Sequence, residues 1–225
     1  MTRVKICGIR TFEEARECIA AGADALGFHV ELEHSKCPIG AATTASIISH
    51  VPPFVASVIV TTVIEPKALI RIARATGANT LQLQGEVSAD TVRAVKAVSP
   101  YLKVYAVVHV FGTDAIEAAR KIEGVDAIIL DSADKTSGAR GGTGKTHDWN
   151  ISKKIVESLS IPVVLAGGLN PDNVAEAVRL VKPYAVDVET GVSNPDHTKN
   201  AEKVRLFVER AKFPKAHLQS LERSL

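Results

Sequence analysis

Aromatic residues are scarce in this 225-residue chain, at 4% of the total, and charge of neither sign dominates. A base-stacking surface needs ring faces and a phosphate backbone attracts a cationic field. The few rings and the formal net charge of +2 therefore argue against nucleic acid as a partner. The same small charge gives no general attraction to an anionic membrane surface. Cysteine is sparse too: Cys7, Cys18 and Cys37 are odd in number and show neither a disulfide framework nor zinc-site spacing, which points to a reducing compartment. Long apolar runs are missing. The most apolar window, residues 54–64, is broken by Ser57, Thr61 and Thr62 and falls short of the roughly 18 residues a spanning helix needs. The N-terminus carries Arg3 and Lys5 but no apolar h-region or cleavage site, so the expectation is a cytoplasmic protein without a signal peptide.

What is present is a regular alternation. Val- and Ile-rich runs at 3–9, 25–30, 54–61, 80–83, 102–109, 127–131, 162–166 and 185–188 read as strands, mostly apolar on both faces as in a buried parallel sheet. Helical patterns fall between them near 11–22, 41–50, 65–76, 88–98, 113–122, 150–159, 171–181 and 199–212. In 113–122, Ile116, Ala119 and Ile122 recur at helical spacing while Glu117, Arg120 and Lys121 take the other face. Eight strands alternating with eight helices predict an α/β fold, a single (β/α)8 TIM barrel over residues 1–212. Its rival, a doubly wound open sheet, would need fewer repeats or an extra domain, and no linker, composition shift or charge block marks one. Residues 213–225 read as a C-terminal tail in which Pro214 breaks the pattern and Leu218, Leu221 and Leu225 allow one more amphipathic turn.

Barrels carry their chemistry on strand ends and the loops after them. Cys7 closes the first strand, followed by Gly8 and by Thr11 with Glu14, a helix-capping pattern. Taken alone the thiol reads as buried or reactive. Asp131 closes the sixth strand and reads as a turn-former or a catalytic acid. Across one barrel mouth the two could face a shared substrate, as paired acid and base chemistry requires. After the seventh and eighth strands come Gly167-Gly168-Leu169-Asn170-Pro171, with Asn170 as a cap and Pro171 at the first helical position, and Asp187-Val188-Glu189-Thr190-Gly191. These turns either permit tight bends or offer backbone amides to a phosphate, and their position favours phosphate.

The long loop 132–148 is rich in glycine and lysine and suits a lid over an anion. Its Gly144-Lys145-Thr146 does not complete a Walker A motif, because Ala139 stands where glycine is needed. His29, Glu31 and His34 hint at a metal, but no further ligands cluster with them, and solvated polar residues at a strand end explain them better. Metal: none.

Taken together, Lys5-Ile6-Cys7-Gly8-Ile9, Gly22-Ala23-Asp24-Ala25-Leu26-Gly27-Phe28, Leu81-Gln82-Leu83 with Gly85-Glu86, Leu130-Asp131, residues 141–146 with Asp148-Trp149, residues 166–174, and residues 183–188 with Gly191-Val192 resemble the phosphoribosylanthranilate isomerase family. The resemblance spans residues 3 to about 212. It implies a (β/α)8 enzyme of tryptophan biosynthesis that converts a phosphorylated aminoaldose to an aminoketose without a cofactor. By position, Cys7 is implied as the base that takes the C2 proton, and Asp131 as the acid that opens the ribose ring. A thiol base should sit in an electropositive mouth. The phosphate would rest on Gly167, Gly168, Thr190 and Gly191, with Gly142, Gly144 and Lys145 closing over it and Asp187 helping to hold the substrate.

Three positions depart from the family pattern. Cys37 stands in place of an arginine expected near the anthranilate end, Gln84 in place of a histidine, and Ser193 in place of a glutamate. A thiol cannot replace a guanidinium that pairs with a carboxylate on two prongs. Two other readings therefore stay open: a paralogue that isomerises a different phosphorylated aminosugar, and a non-catalytic barrel that binds a phosphorylated ligand. The partner in each case is a small phosphorylated molecule, and oligomeric state is not readable.

Overall fold

The structure is a computed structural model that describes residues 1–132 and 146–214. Eight parallel strands close into one barrel in chain order: β1 (Arg3–Ile6), β2 (Ala25–His29), β3 (Ala56–Thr61), β4 (Thr80–Leu83), β5 (Lys103–Val110), β6 (Ala127–Ser132), β7 (Val163–Leu165) and β8 (Ala185–Val188). The eight helices between and after them are α1 (Phe12–Ala20), α2 (Ala41–Ile48), α3 (Pro66–Thr76), α4 (Ala89–Val98), α5 (Asp114–Arg120), α6 (Trp149–Ser158), α7 (Val174–Val181) and α8 (Ala201–Lys212), with one 3-10 turn at Thr190–Val192. Among the described residues no helix is long and apolar enough to cross a membrane.

The alternation of side chains along each strand sorts them into two cores. Val4, Ile6, Leu26, Phe28, Leu81, Leu83, Ile128, Leu130 and Val186 face outward into the main apolar cluster beneath the helices. Ile129, Val164, Ala166 and Ala185, with Tyr105 and Val107 against them, form a smaller cluster that plugs the barrel interior. The intervening positions carry the polar residues: Lys5 and Cys7 after Arg3, Gly27 and His29 after Ala25, Asp131 after Ile129, and Asp187 and Glu189 after Ala185. The interior is therefore apolar at one level and polar above it.

The polar level is held by a buried ion pair. Lys5 Nζ lies 2.7 Å from Asp187 Oδ2, and the two residues are direct register partners where β1 and β8 close the barrel. Gly27 on β2 leaves room for them, since a Cβ there would meet Cys7 Sγ at 2.7 Å and Lys5 Nζ at 3.0 Å. Glycine inside a strand marks such a close approach.

Local signals account for most helix starts. Thr11 accepts from the Glu14 amide as predicted, while the Glu14 carboxylate reaches the Arg10 amide and, across the chain, the Lys199 amide. In α3, Glu65 caps the Lys67 and Ala68 amides, Pro66 takes the first turn and Gly77 ends the helix at φ +72°. Some expected boundaries shift. The first strand stops at Ile6, because Gly8 turns the chain at φ +76°, and the third begins at Ala56, leaving Phe54 wholly exposed. Asn170 does not cap the seventh helix. It accepts from the Asp172 and Asn173 amides in a separate turn, Pro171 sits inside that turn, and α7 starts at Val174.

Breaking a buried pair from one side strands a charge, so Asp187→Ala is expected to cost about 3–5 kcal/mol. The double change Lys5→Met with Asp187→Leu should recover most of that loss, read by denaturant unfolding. Equal losses in the single and double variants would show that the pair does not act as a unit.

Candidate active site

The barrel mouth opens into a cavity of about 840 Å³. Its lining includes Cys7 and Asp131 as well as Gly167, Gly168, Asp187, Thr190 and Gly191. The predicted lid residues Gly142, Gly144 and Lys145 lie outside the described residues.

Cys7 follows β1 and Asp131 is the penultimate residue of β6, three strands apart around the ring by way of β8 and β7. Both occupy the inward-facing register, so they look into the cavity from different walls. The expectation of an electropositive setting for the thiol meets a mixed environment. Burial pushes Cys7 up to about 12; the Lys5 ammonium opposes this, and Asp187 and Glu189 add to it. Burial also works against the charge on Lys5, yet Asp187 and Cys7 more than offset it and hold the ammonium above its ordinary value. The resting thiol is thus protonated.

Burial, helped by the nearby Asp187 charge, raises the Asp131 carboxyl to about 7 against the pull of the Ser132 amide, which donates to Oδ1 at 2.8 Å. A carboxyl poised there can deliver a proton near neutral pH.

The sequence reading missed the residues that surround the thiol. His29 Nε2 lies 3.3 Å from Cys7 Sγ, and its Nδ1 lies 2.8 Å from Ser35 Oγ. Glu189 Oε2 is 3.7 Å from His29 Nε2. Lys5, His29 and Glu189 each stand two residues from another inward position, so strand alternation was the signal that could have found them. Glu31 and His34 do not join His29: both take positive φ beyond the end of β2, and Glu31 pairs with Arg71. Cys7, His29 and Glu189 bring ligand atoms within 4.8 Å of one another and are the described residues that could hold a metal ion. Lys5 already sets a positive charge beside that cluster, which disfavours a dication.

The glycine loops after β7 and β8 are packed backbone to backbone. Gly167 and Gly168 hold φ +81° and +65°, and a Cβ on Gly167 would meet the Ser132 amide nitrogen at 2.5 Å. A Cβ on Gly191 would meet the Leu169 carbonyl oxygen at 2.0 Å. Among the described residues, the amides of Gly168, Thr190 and Gly191 have no hydrogen-bond acceptor. Asp187 spends Oδ2 on Lys5, and its Oδ1 is buried without a partner among those residues. Cys37 is fully buried against Glu189, away from the cavity, whereas Lys36 and His34 line it on that side.

A closed (β/α)8 barrel whose mouth gathers a thiol, a carboxyl and amide-lined glycine loops in one cavity has the architecture of a barrel enzyme. Residues 4–210 match the family model of N-(5'-phosphoribosyl)anthranilate isomerase. The protein of that name from Methanocella arvoryzae is 44% identical over 216 residues, covering 96% of this chain and all of the relative. N-(5'-phosphoribosyl)anthranilate isomerase 2 of Methanosarcina mazei is 38% identical, covering 98% and 99%. The crystal structure of the Thermotoga maritima enzyme superposes with a TM-score of 0.84 at 34% identity, covering 94% of this chain and 99% of that one. A crystal structure of the isomerase in complex with reduced 1-(o-carboxyphenylamino)-1-deoxyribulose 5-phosphate gives 0.82 at 32% identity, with the same coverage. The chain belongs to the phosphoribosylanthranilate isomerase family, the isomerases of tryptophan biosynthesis.

The raised Asp131 carboxyl has a consequence for stability. The folded protein keeps a proton that the unfolded chain releases between pH 3.8 and about 7, so stability falls as pH rises through that window and stays lower above it. Asp131→Asn keeps an oxygen for the Ser132 amide and removes this dependence. It should be more stable than the parent above pH 7, on the order of 2 kcal/mol after screening at the mouth, and nearly equal at pH 4. Urea unfolding of both proteins at the two pH values checks this, and an unchanged difference would refute it.

Proposed function

We propose that this chain converts N-(5-phosphoribosyl)anthranilate to the carboxyphenylamino-deoxyribulose phosphate without a cofactor, with Asp131 as general acid and Cys7 as general base. The observation that carries the reading is the placement of both groups on separate walls of one cavity beside the two glycine loops. Asp131 protonates the ring oxygen, the ring opens and C1 becomes an iminium. That positive charge acidifies C2, and Cys7 takes the C2 proton to leave an enolaminol. Moving one proton from O2 to C1 completes the aminoketose, with no net oxidant or reductant required. The amides of Gly168, Thr190 and Gly191 receive the phosphate, Gly167 makes the close turn that presents them, and Asp187 fixes Lys5 and turns its second oxygen toward the substrate. Gly142, Gly144 and Lys145 remain the proposed cover.

The buried Cys37 favours a second reading, a different aglycone, since the expected guanidinium is missing. Lys36 answers this in part, because it lines the cavity and a lysine there can take an aromatic carboxylate as a point charge.

A steady-state assay on phosphoribosylanthranilate after chelator treatment tests both readings. The parent should turn over, and Cys7→Ala and Asp131→Asn should each lose about 10²–10⁴-fold in kcat. Lys36→Ala should raise KM roughly tenfold with kcat nearly unchanged, the mark of lost uniform binding. No turnover by a parent that a ribose phosphate still stabilises against heat would sink the anthranilate reading.

A further inference from the structure

A base must lose its own proton before it can take another, and the Cys7 thiol sits in a pocket that favours S–H. An acceptor lies within reach. His29 Nε2 is 3.3 Å from Sγ. Since the protonated thiol donates toward Nε2, the ring hydrogen lies on Nδ1 and is donated to Ser35 Oγ at 2.8 Å. Ser35 Oγ is itself fixed by the Cys37 amide at 3.0 Å. Glu189 Oε2, at 3.7 Å, supplies a counter-charge for an imidazolium.

We propose that His29 is a positioning residue that accepts the Cys7 S–H proton on Nε2, with Ser35 holding the ring and Glu189 balancing its charge, so that Cys7 meets the substrate as a thiolate. This rests on the reading of Cys7 as base and Asp131 as acid. The S–H bond breaks as the Nε2–H bond forms, and the thiolate then takes the C2 proton and returns to thiol. Turnover leaves Asp131 ionised and His29 charged, and one proton passed through solvent from His29 to Asp131 restores both. The groups acting on the imidazole are Lys5 from β1, Asp187 and Glu189 from β8 and its loop, and Lys199 ahead of α8, with the Cys7 thiol just after β1 in contact with Nε2. Burial and the two lysines oppose the imidazolium, while the two carboxylates favour it. Proton transfer is therefore drawn out when the substrate's own charge develops, rather than being complete at rest.

The pH profile of kcat/KM separates this relay from a passive histidine. With internal transfer, the productive enzyme needs a protonated Asp131 and an initially neutral His29, so kcat/KM drops in acid where His29 takes up a proton, is flat from there to about pH 7, and falls above it as Asp131 ionises. Without transfer, Cys7 must lose its proton to solvent, so kcat/KM rises with pH until Asp131 ionisation cancels the gain and a plateau follows above about pH 7. His29→Gln keeps an oxygen near the thiol but cannot hold its proton. It should lower kcat by about 10²–10³-fold, leave KM within about threefold, make the profile rise with pH below about pH 7, and turn the falling limb above it into a plateau. Ser35→Ala should lower kcat less and keep the parental shape. Each variant is checked by thermal unfolding, and chelator should leave the parent rate unchanged. A His29→Gln enzyme with the parental rate and profile, or a parent silenced by chelator, would overturn the proposal. Alkylation of Cys7 by iodoacetamide, followed by mass spectrometry, needs no substrate. It should slow in His29→Gln, and equal rates would also overturn the proposal. His29-dependent alkylation in a parent that fails to turn over phosphoribosylanthranilate would instead discard the substrate reading alone.

Discussion

The buried ion pair of Lys5 and Asp187 is the constraint to which the barrel mouth is fitted. It joins register partners across the seam where β1 meets β8, so closing the barrel and pairing the charges are one event. Such a pair contributes little net stability over an apolar replacement of equal volume. What it supplies is a fixed ammonium beside Cys7, in a place where water cannot screen it. Gly27 is the cost in sequence terms: the neighbouring strand gives up a side chain to admit the pair.

That ammonium is only a partial remedy for burying the thiol. Cys7 is 5% exposed, and the desolvation that protects its chemistry from water also holds its proton in place. The same desolvation favours the proposed role of Asp131, since an acid that stays protonated near neutrality is what ring opening requires. One low-dielectric mouth therefore suits the proposed acid directly and suits the proposed base only with help from its neighbours. In that reading Lys5 offers charge, and His29 offers a place for the proton.

The fold was largely legible because its signals are periodic. Each strand is a short Val- and Ile-rich run and each helix carries a one-sided apolar stripe, so all eight pairs could be read from spacing that survives small errors at the ends. Boundaries were missed where one backbone angle or one side chain decides them, as at Gly8 and at Asn170, whose carboxamide closes a turn instead of capping α7. Cys7 and Asp131 were readable because each stands at the carboxyl end of an apolar strand-forming run. Lys5, His29 and Glu189 were not, because what makes them functional is a neighbour brought in by register: Lys5 and Asp187 are 182 positions apart in the chain.

Two of the three departures from the family pattern, Cys37 and Ser193, meet at one residue. Arginine at position 37 and glutamate at position 193 would add one positive and one negative charge, and this chain has Cys37 and Ser193 instead. The formal charge of the mouth is therefore unchanged. Both replacements lie beside Glu189: the Cys37 thiol packs against its carboxylate, and the Ser193 hydroxyl donates to its backbone oxygen at 2.8 Å while accepting from Lys199 Nζ. A carboxylate without a guanidinium partner needs another cation or a proton carrier nearby. His29 fills that role at 3.7 Å, and the same imidazole touches the thiol. On the proposed reading of Cys7 as base, Glu189 is left to balance His29, and the loop after β2 bears on the chemistry as well as on the aglycone.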